Sequence, residues 1–455
     1  MEKYLSFFCI LLPPLCCSSP LDISRAVETA LQNDRTLALF NRKNRLNKLK
    51  SAELARSLLP VLSFSFSGNL SRISFENDYR QHTVEAVLKQ PVWDGGRFRL
   101  QRKILRLDMI LENFNIISYR AALIRRTREN FFNLLRIEES IKIQKEYEAA
   151  AGQQLQIAEK EKSLGMLIEI DYLEILQNVK QAGLELYMLE NEYTSALADF
   201  KILLDIDDEI SCDGNLHESF IIFLPRLSSE ETADMIPRRS SAVLKTRAAL
   251  SRAGAELDSV KNFFPEIALD SFYRLLGPFS PQKTRDYGLG ISLSWGLAGS
   301  SVNSSGNISS EENSSVLRSE VQSGAGILDQ PQYFRNLREK QLAVLEAENE
   351  ARAAEKQTVI MVKSMYKRCT ALYRQIKYEK EQLSVIAEKI RLRELQVSLG
   401  EEKRLQLMDD LIEQNKKKLA HALSVMSYLK LAGEIEESAG LSPDELGCVQ
   451  IIKTR

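Results

Sequence analysis

The chain has 455 residues, with 61 basic against 62 acidic side chains and a formal net charge of -1. That balance lacks the basic footprint of a nucleic-acid binder. With 44% hydrophobic and 27% charged residues, the composition suits long amphipathic helices better than a compact enzyme core.

Lys3 and the apolar run over residues 5–15 read as an export signal occupying 1–19, too short to span a bilayer as a mature helix. Cleavage near residues 17–19 is one reading; acylation of Cys16 or Cys17, which follow Leu12 and Leu15, is the other. No other stretch approaches the ~20 apolar residues of a transmembrane helix, so any membrane span must be built from strands. Beyond the signal, Cys212, Cys369 and Cys448 form neither a metal pattern nor a disulfide framework. Cys369 falls on an apolar helical seam, as a small buried hydrophobe does. Cys212 and Cys448 each lie just past a helical segment and are the two that an oxidising compartment could pair.

In chain order, a β-like segment comes first. Leu62, Phe64 and Phe66 alternate with Ser63, Ser65 and Ser67, then Val84, Ala86 and Leu88 with Thr83, Glu85 and Lys89, which predicts a hairpin over about 61–93. No proline follows between Pro91 and Pro225. Within that tract Ile110, Phe114, Ile117, Ala121 and Ile124, and later Leu186, Leu189, Tyr193, Ala196, Phe200 and Leu203, step by threes and fours, the spacing of coiled-coil seams. The turn Lys162-Ser163-Leu164-Gly165 interrupts it, and a glycine can take the left-handed conformation that ends a helix. A helix over 97–163 would be on the order of 100 Å long at 1.5 Å per residue. The tract is therefore a helical hairpin over about 97–204 with its tip at Gly165.

After a linker at 211–229 the order repeats. Ile267, Leu269, Tyr273 and Leu275 share one face, opposite Asp270 and Arg274. Tyr287, Leu289, Ile291, Leu293 and Trp295 alternate with Gly288, Gly290, Ser292 and Ser294, completing a hairpin over about 266–296. Residues 300–330, rich in Ser, Asn, Gly and Glu, read as a flexible, solvated insertion. A second proline-free tract carries the seam Val359, Val362, Tyr366, Cys369, Tyr373 and Ile376, and turns at Val397-Ser398-Leu399-Gly400. It predicts a helical hairpin over about 333–432, followed by a tail at 434–455. Pro60 with Pro265, Trp93 with Trp295, and Gly165 with Gly400 mark two repeats, 20–210 and 230–433. Strands of roughly ten residues with this alternation suit a membrane barrel. A soluble antiparallel sheet alternates likewise, but four such strands beside helices of this length in an exported chain favour the barrel.

Several short motifs recur in order. Residues 21–31 form an opening amphipathic stretch, and Leu58-Leu59-Pro60 leads into the first strand. Gln90-Pro91-Val92-Trp93-Asp94-Gly95-Gly96-Arg97 leads back out. Ser163-Leu164-Gly165 and Ser398-Leu399-Gly400 are followed by Asp171-Tyr172-Leu173 and Leu407-Met408-Asp409. In this order, twice over, the set resembles the outer membrane efflux protein family, the TolC-like outer membrane factors. Trp295-Gly296-Leu297-Ala298-Gly299 departs from that pattern by lacking paired glycines. The resemblance implies a mainly α fold with membrane β: four barrel strands and long coiled-coil helical hairpins per protomer. Three protomers would close a twelve-stranded barrel, joined to a periplasmic helical tunnel. Pro60, Trp93, Gly95, Gly96, Pro265 and Trp295 would mark the junctions between barrel and helices.

What the resemblance implies for function follows from that duct. The protein would be a homotrimer in the cell outer membrane, set in outer-membrane lipid and extending into the periplasm. It would serve as the passive exit channel of a tripartite efflux or type I secretion system. Its partners would be a periplasmic adaptor and an inner-membrane transporter. Asp409, Asp410, Asp171, Lys403 and Arg404 are the candidate periplasmic aperture. Threefold symmetry would turn Asp409 into an acidic ring, and Lys403 and Arg404 would hold a gate closed through ion pairs. Asp171 has capping the following helix as its alternative role. Leu164, Gly165, Leu399 and Gly400 are the candidate adaptor-contacting tips, unless the glycines serve only their turns. His82, His217 and His421 are isolated, and the chain has no Walker A, G-x-S-x-G or C-x-x-C sequence. No enzyme, metal, cofactor or nucleic-acid role is expected. A soluble periplasmic coiled-coil scaffold is the competing reading, and it leaves four lipid-compatible strands unexplained. The cargo, whether drugs, metals or proteins, is not written in the duct.

Overall fold

The computed structural model describes residues 21–74, 77–208, 210, 220–261, 264–277, 284–312, 317–399 and 402–451. The expected signal at 1–19 with Cys16 and Cys17, and also Cys212, His217 and Gly400, lie outside the described residues. The elements are α1 (Ile23–Asn33), α2 (Arg35–Arg56), β1 (Val61–Ser74), β2 (Asn77–Asp94), α3 (Arg97–Ser163), α4 (Glu169–Leu204), β3 (Phe220–Ile222), α5 (Ser229–Arg239) and α6 (Ser241–Val260). They continue with β4 (Glu266–Gly277), β5 (Thr284–Leu297), β6 (Ser300–Glu311), β7 (Leu317–Gly326), α7 (Gln332–Ser398), α8 (Arg404–Ala439) and β8 (Val449–Ile451). Two compact units result, each drawing on both repeats. One comprises Ala38–Ser118 and Ser241–Gln357, the other Met1–Leu37, Tyr119–Ser240 and Thr358–Arg455.

The first unit holds a six-stranded antiparallel sheet in the order β1-β2-β4-β5-β6-β7. Its register is what the alternating residues require. Phe64 lies opposite Ala86, Ala86 opposite Tyr273, Tyr273 opposite Tyr287, and Leu289 opposite Ile308. One face is thus mostly apolar, interrupted by Gln90, Ser271 and a few serines of β6 and β7, and its large side chains are bare: Phe64 is 74% and Leu289 69% exposed. The other face is polar and internally bonded. Ser65 donates to Glu85 at 3.4 Å, and Arg274 reaches Glu85 at 2.8 Å and Asp286 at 3.5 Å, a row crossing four strands.

Six strands stand where the sequence pattern predicts four, because the insertion expected as a flexible loop is the hairpin β6–β7. Its alternation exists but is diluted. Val302, Ile308, Val321 and Ala325 share one face with small serines and glycine, while Asn303, Ser305, Asn307, Arg318, Glu320 and Gln322 share the other. Serine and glycine satisfy the backbone ladder without the β-branched bulk that usually announces a strand. Ala298 and Gly299, both at positive φ, make the two-residue turn that joins β5 to β6. Trp295 therefore stands beside a strand-to-strand turn and not, as expected, at a step from barrel to helix; α7 starts only after β7.

At the first junction Pro60 directly precedes β1, and Trp93 follows a bulge where Pro91 interrupts the register. Asp94 then caps α3, accepting from the Gly96 N–H at 3.0 Å and the Phe98 N–H at 2.5 Å. Gly95 and Gly96 sit at φ 65° and 80°, and a Cβ on Gly95 would lie 2.6 Å from the Phe264 carbonyl oxygen. Pro265 directly precedes β4.

The second unit is helical. Phe131, Phe132, Leu134 and Leu135 of α3 pack with Phe200 and Leu204 of α4, with Val425 and Leu429 of α8, and with Ala26 and Ala30 of α1. On α7 the seam residues Val362, Tyr366 and Cys369 are buried. The Tyr366 hydroxyl lies 2.7 Å from that of Thr232 on α5, a helix opened by a capping box between Ser228 and Glu231. β3 pairs with β8, so part of the expected linker and part of the expected tail form one small sheet. Cys448 is buried against Cys369, and the two thiols are hydrogen-bonded and free. Among the described residues no helix is long and apolar enough to cross a membrane.

Gly95→Ala combines left-handed strain with a backbone collision and is expected to cost about 2–3 kcal/mol. Gly96→Ala, with open space around its Cβ, is expected to cost about 1 kcal/mol. Denaturant midpoints of the two variants against wild type check the difference.

Candidate functional site

The helical tips gather most of the residues singled out by sequence. α3 ends in a Schellman turn: the Gly165 N–H donates to the Lys162 carbonyl at 3.0 Å and the Met166 N–H to that of Glu161 at 2.9 Å. Gly165 supplies the left-handed φ of 72° that this turn requires. Lys162 closes the turn, 2.8 Å from Glu169 and 4.2 Å above the Tyr172 ring. The chain beyond it presents bare apolar side chains. Leu164, Met166, Ile168 and Ile170 are all well exposed, as is Leu399 at the end of α7.

Beneath the tips, Tyr147, Ala151, Ile175, Ile386, Ile390, Leu407 and Met408 pack α3, α4, α7 and α8 together. A buried amide chain crosses the same bundle. Asn415 donates to Gln144 at 2.8 Å, and Gln144 donates to the Ala182 carbonyl at 3.0 Å. The chain ties α8, α3 and α4 together, and the Asn415 side-chain oxygen is buried with no hydrogen-bond partner among the described residues.

The candidate aperture residues have unequal surroundings. Asp410 is buried and clamped, 2.5 Å from Lys389 and 3.2 Å from Arg393. The hydrogen bond to Asp410 holds the Lys389 ammonium above its ordinary range. Asp409, on the neighbouring face of α8, is exposed and carries no ion pair among the described residues. Asp171 does not cap α4, whose N-cap is Ile168; it lies in the first turn, where the positive end of the helix favours a carboxylate. Lys403, the exposed N-cap of α8, reaches Asp171 at 4.0 Å. Arg404 is nearly buried: it grips the Glu161 carboxylate with two nitrogens, one at 2.9 Å, and donates to Gln154 at 2.5 Å. A loose 4.0 Å pair such as that of exposed Lys403 with half-buried Asp171 contributes ~1 kcal/mol or less. The bidentate Arg404 contact, shielded from water, is the stronger fastening between α8 and α3.

Glu161, Lys389, Arg393 and Glu402 were not singled out by sequence. A signal existed in the charges flanking each turn, Lys162 and Glu169 about Gly165, and Arg393 and Glu402 about residue 400, which bond at 2.8 Å and 3.1 Å. Farther along α8, burial pushes the Glu436 carboxyl up to about 7 against the opposing pull of Arg128, 3.6 Å away; Asp444 adds to the rise. Burial also lowers His421, against Glu379 at 3.4 Å. Among the described residues no cluster of His, Cys, Asp or Glu could hold a metal ion.

Comparison with known proteins gives the arrangement its context. The outer membrane efflux protein family matches residues 26–204. A membrane protein from Pseudomonas aeruginosa is similar over 93% of this chain and 91% of its own, with a TM-score of 0.75 at 14% identity. The CmeC outer membrane channel of Campylobacter jejuni is similar over 92% and 85%, with a TM-score of 0.72 at 13% identity. The open state of the MtrE outer membrane channel of Neisseria gonorrhoeae is similar over 92% and 89%, with a TM-score of 0.68 at 15% identity. No curated protein sequence matches. The TolC-like fold is thereby established across nearly the whole chain.

Arg404→Ala leaves Glu161 without its partner and is expected to destabilise by about 2–3 kcal/mol. Hydrogen exchange should then quicken at residues 160–168 and 403–408, with little change in α5. The sign of the Glu436 effect is the reverse of the usual carboxylate. Its folded pKa is raised above the unfolded one, so its contribution is complete below about 4.5 and is lost as pH rises to about 7. Glu436→Gln should flatten that part of the stability–pH curve, read by denaturant midpoints between pH 4 and 8.

Proposed function

We propose, from the family match in the first half and the channel fold of the whole chain, that the molecule is one protomer of a trimeric outer-membrane exit duct. The observation that carries this reading is the two-faced sheet. One face is a predominantly apolar band on which Phe64, Leu289 and Ile291 are bare, and the other is mainly polar, with Arg274 bonded to Glu85 and Asp286. In water such a band would be an aggregation surface; against lipid it is a solvent-matched wall. A soluble periplasmic scaffold would have no use for it.

The rest of the reading builds on that wall. A sheet with two free edges cannot stand alone in hydrocarbon, so several copies must close it, and the trimer is the closure implied by the family. The duct is passive, with no catalytic role; energy and cargo choice come from an inner-membrane transporter reached through a periplasmic adaptor. The exposed apolar tips, Leu164, Met166 and Ile168 on one hairpin and Leu399 on the other, are the surface offered to that adaptor's helices. Gly165 permits close approach because nothing lies within 4 Å of where its Cβ would be. Among the aperture residues Asp409 is the one left unpaired, so three copies would present three uncompensated carboxylates. Asp410, clamped by Lys389 and Arg393, shapes the helix end instead.

The protein should fractionate with the outer membrane and migrate as a trimer that heat dissociates; a freely soluble monomer would sink the duct. Asp409→Lys should at least halve the cation-over-anion permeability ratio in planar bilayers, whereas Asp410→Asn should act on stability first. Cysteines placed at Leu164 and Leu399 should crosslink to a co-expressed adaptor, and an equal yield from a cysteine at exposed Tyr187 would count against tip docking.

A further inference from the structure

The hairpin β6–β7 changes how the sheet can close. In a four-stranded unit the free edges would be those of β1 and β5. Here β5 is already paired with β6 from Asp286 to Leu297, and β6 is paired in turn with β7 from Ser301 to Ser310. Among the described residues the edges left open are those of β1 and β7. Closing a neighbour onto β5 would require stripping away a whole ladder of backbone hydrogen bonds.

The hairpin also has the chemistry of a wall. Its outward face continues that of β5: Val302 lies opposite Trp295, Ile308 opposite Leu289, and Val321 opposite Gly306. Ile308, Leu317 and Val321 are bare, at 52%, 69% and 75% exposure. The charges of β7, Arg318 and Glu320, fall on the opposite face, which is the polar one. On that face a concavity of about 600 Å³ is lined by Lys89, Glu266, Ser292, Asn303, Ser305 and Gln322, from every strand but β1. The hairpin thus lines the same concavity as β2, β4 and β5, beside Leu58 and Phe98 near the adjoining helix ends. Nor does β7 carry the usual guards of a water-facing edge: its sequence has no proline and no lysine.

From this we infer that β6 and β7 are barrel strands, that β7 of one copy pairs with β1 of a second copy, and that three copies close at eighteen strands instead of twelve. The inference rests on the trimeric-duct reading above. Two added strands keep the direction alternating, so β7 meets the next β1 antiparallel, as a barrel demands. Eighteen is an even number within the range of outer-membrane barrels, and at that size the interior is an open aqueous channel.

Disulfide crosslinking in the full-length protein tests the seam. Ser65→Cys on β1 would be combined in turn with Arg318→Cys, Glu320→Cys and Gln322→Cys on β7, all on the polar face, and with Ser292→Cys on β5. Mild oxidation should yield covalent dimers and trimers with at least one β7 position and none with Ser292→Cys. Crosslinking to Ser292→Cys, or a trimer in which no β7 position crosslinks, overturns the inference and leaves the duct reading standing. A monomer by native mass spectrometry overturns both. Tryptophan fluorescence with brominated lipids gives a readout independent of crosslinking. Val321→Trp should be quenched at least twofold more than Glu320→Trp over the shared background of Trp93 and Trp295, and equal quenching overturns the inference.

Discussion

A strand edge in hydrocarbon has no water to bond its N–H and C=O groups, and each group left unpaired costs several kcal/mol. A loose ion pair such as Lys403–Asp171 contributes ~1 kcal/mol or less, well below the cost of one unpaired backbone group in hydrocarbon. The edge problem therefore decides the assembly. On the proposed duct reading, a sheet with one mostly apolar, bare face and two edges open among the described residues would find its closing partner in copies of itself. The register of the sheet serves the same end. Because side chains alternate with period two, a slip of one residue would turn Phe64 and Leu289 into the lumen and Arg274 into lipid.

The helical unit works under a different constraint. In water the helix ends can be solvated, so its tips are free to be specialised. One arginine, Arg404, joins α8 to α3 through a shielded bidentate contact, while Asp410 is neutralised from α7 by Lys389 and Arg393. What remains uncompensated at the tips is small: the carboxylate of Asp409 and a few apolar side chains beside Gly165. Those are the groups a partner or a passing ion would meet. Specialisation here comes from satisfying nearly everything and leaving a little exposed.

How much of this was legible in the sequence depended on the strength of each period. The long helices were, because Leu186, Tyr193 and Phe200 recur over many turns, and the tip at Gly165 was, because a glycine interrupts an otherwise unbroken tract. The strands of Phe64, Phe66, Leu289 and Ile291 were, because bulky residues alternate with serine and glycine. β6 and β7 were not. Their outward positions alternate Val302 and Ile308 with Ser304, Gly306 and Ser310, so the apolar signal drops below what composition suggests for a loop. The ion pairs of the tips were hidden for another reason. Arg404 and Glu161 stand 243 residues apart, and pairing across hairpins is set by packing, which no local spacing reports. Cys448 illustrates the same limit: its neighbour is Cys369, buried on a distant helix.

The polar face of the sheet bears on where selectivity can reside. Its central charges come in bonded sets, Arg274 with Glu85 and Asp286, while Asp270 accepts from the Ser292 hydroxyl at 2.9 Å. The hairpin adds mostly amides and hydroxyls there, with Arg318 and Glu320 of opposite sign. Opposite charges a few ångströms apart cancel within a Debye length of ~8 Å, so a wide, water-filled barrel lined this way exerts little net field on what passes. A single unpaired carboxylate repeated by symmetry in a narrow mouth has no such cancellation, and a narrow, low-dielectric surround strengthens its field. On the proposed trimeric-duct reading, widening the barrel by a hairpin would leave discrimination where the field survives, at Asp409 and its symmetry mates, and would make the wall a conduit with no preference of its own.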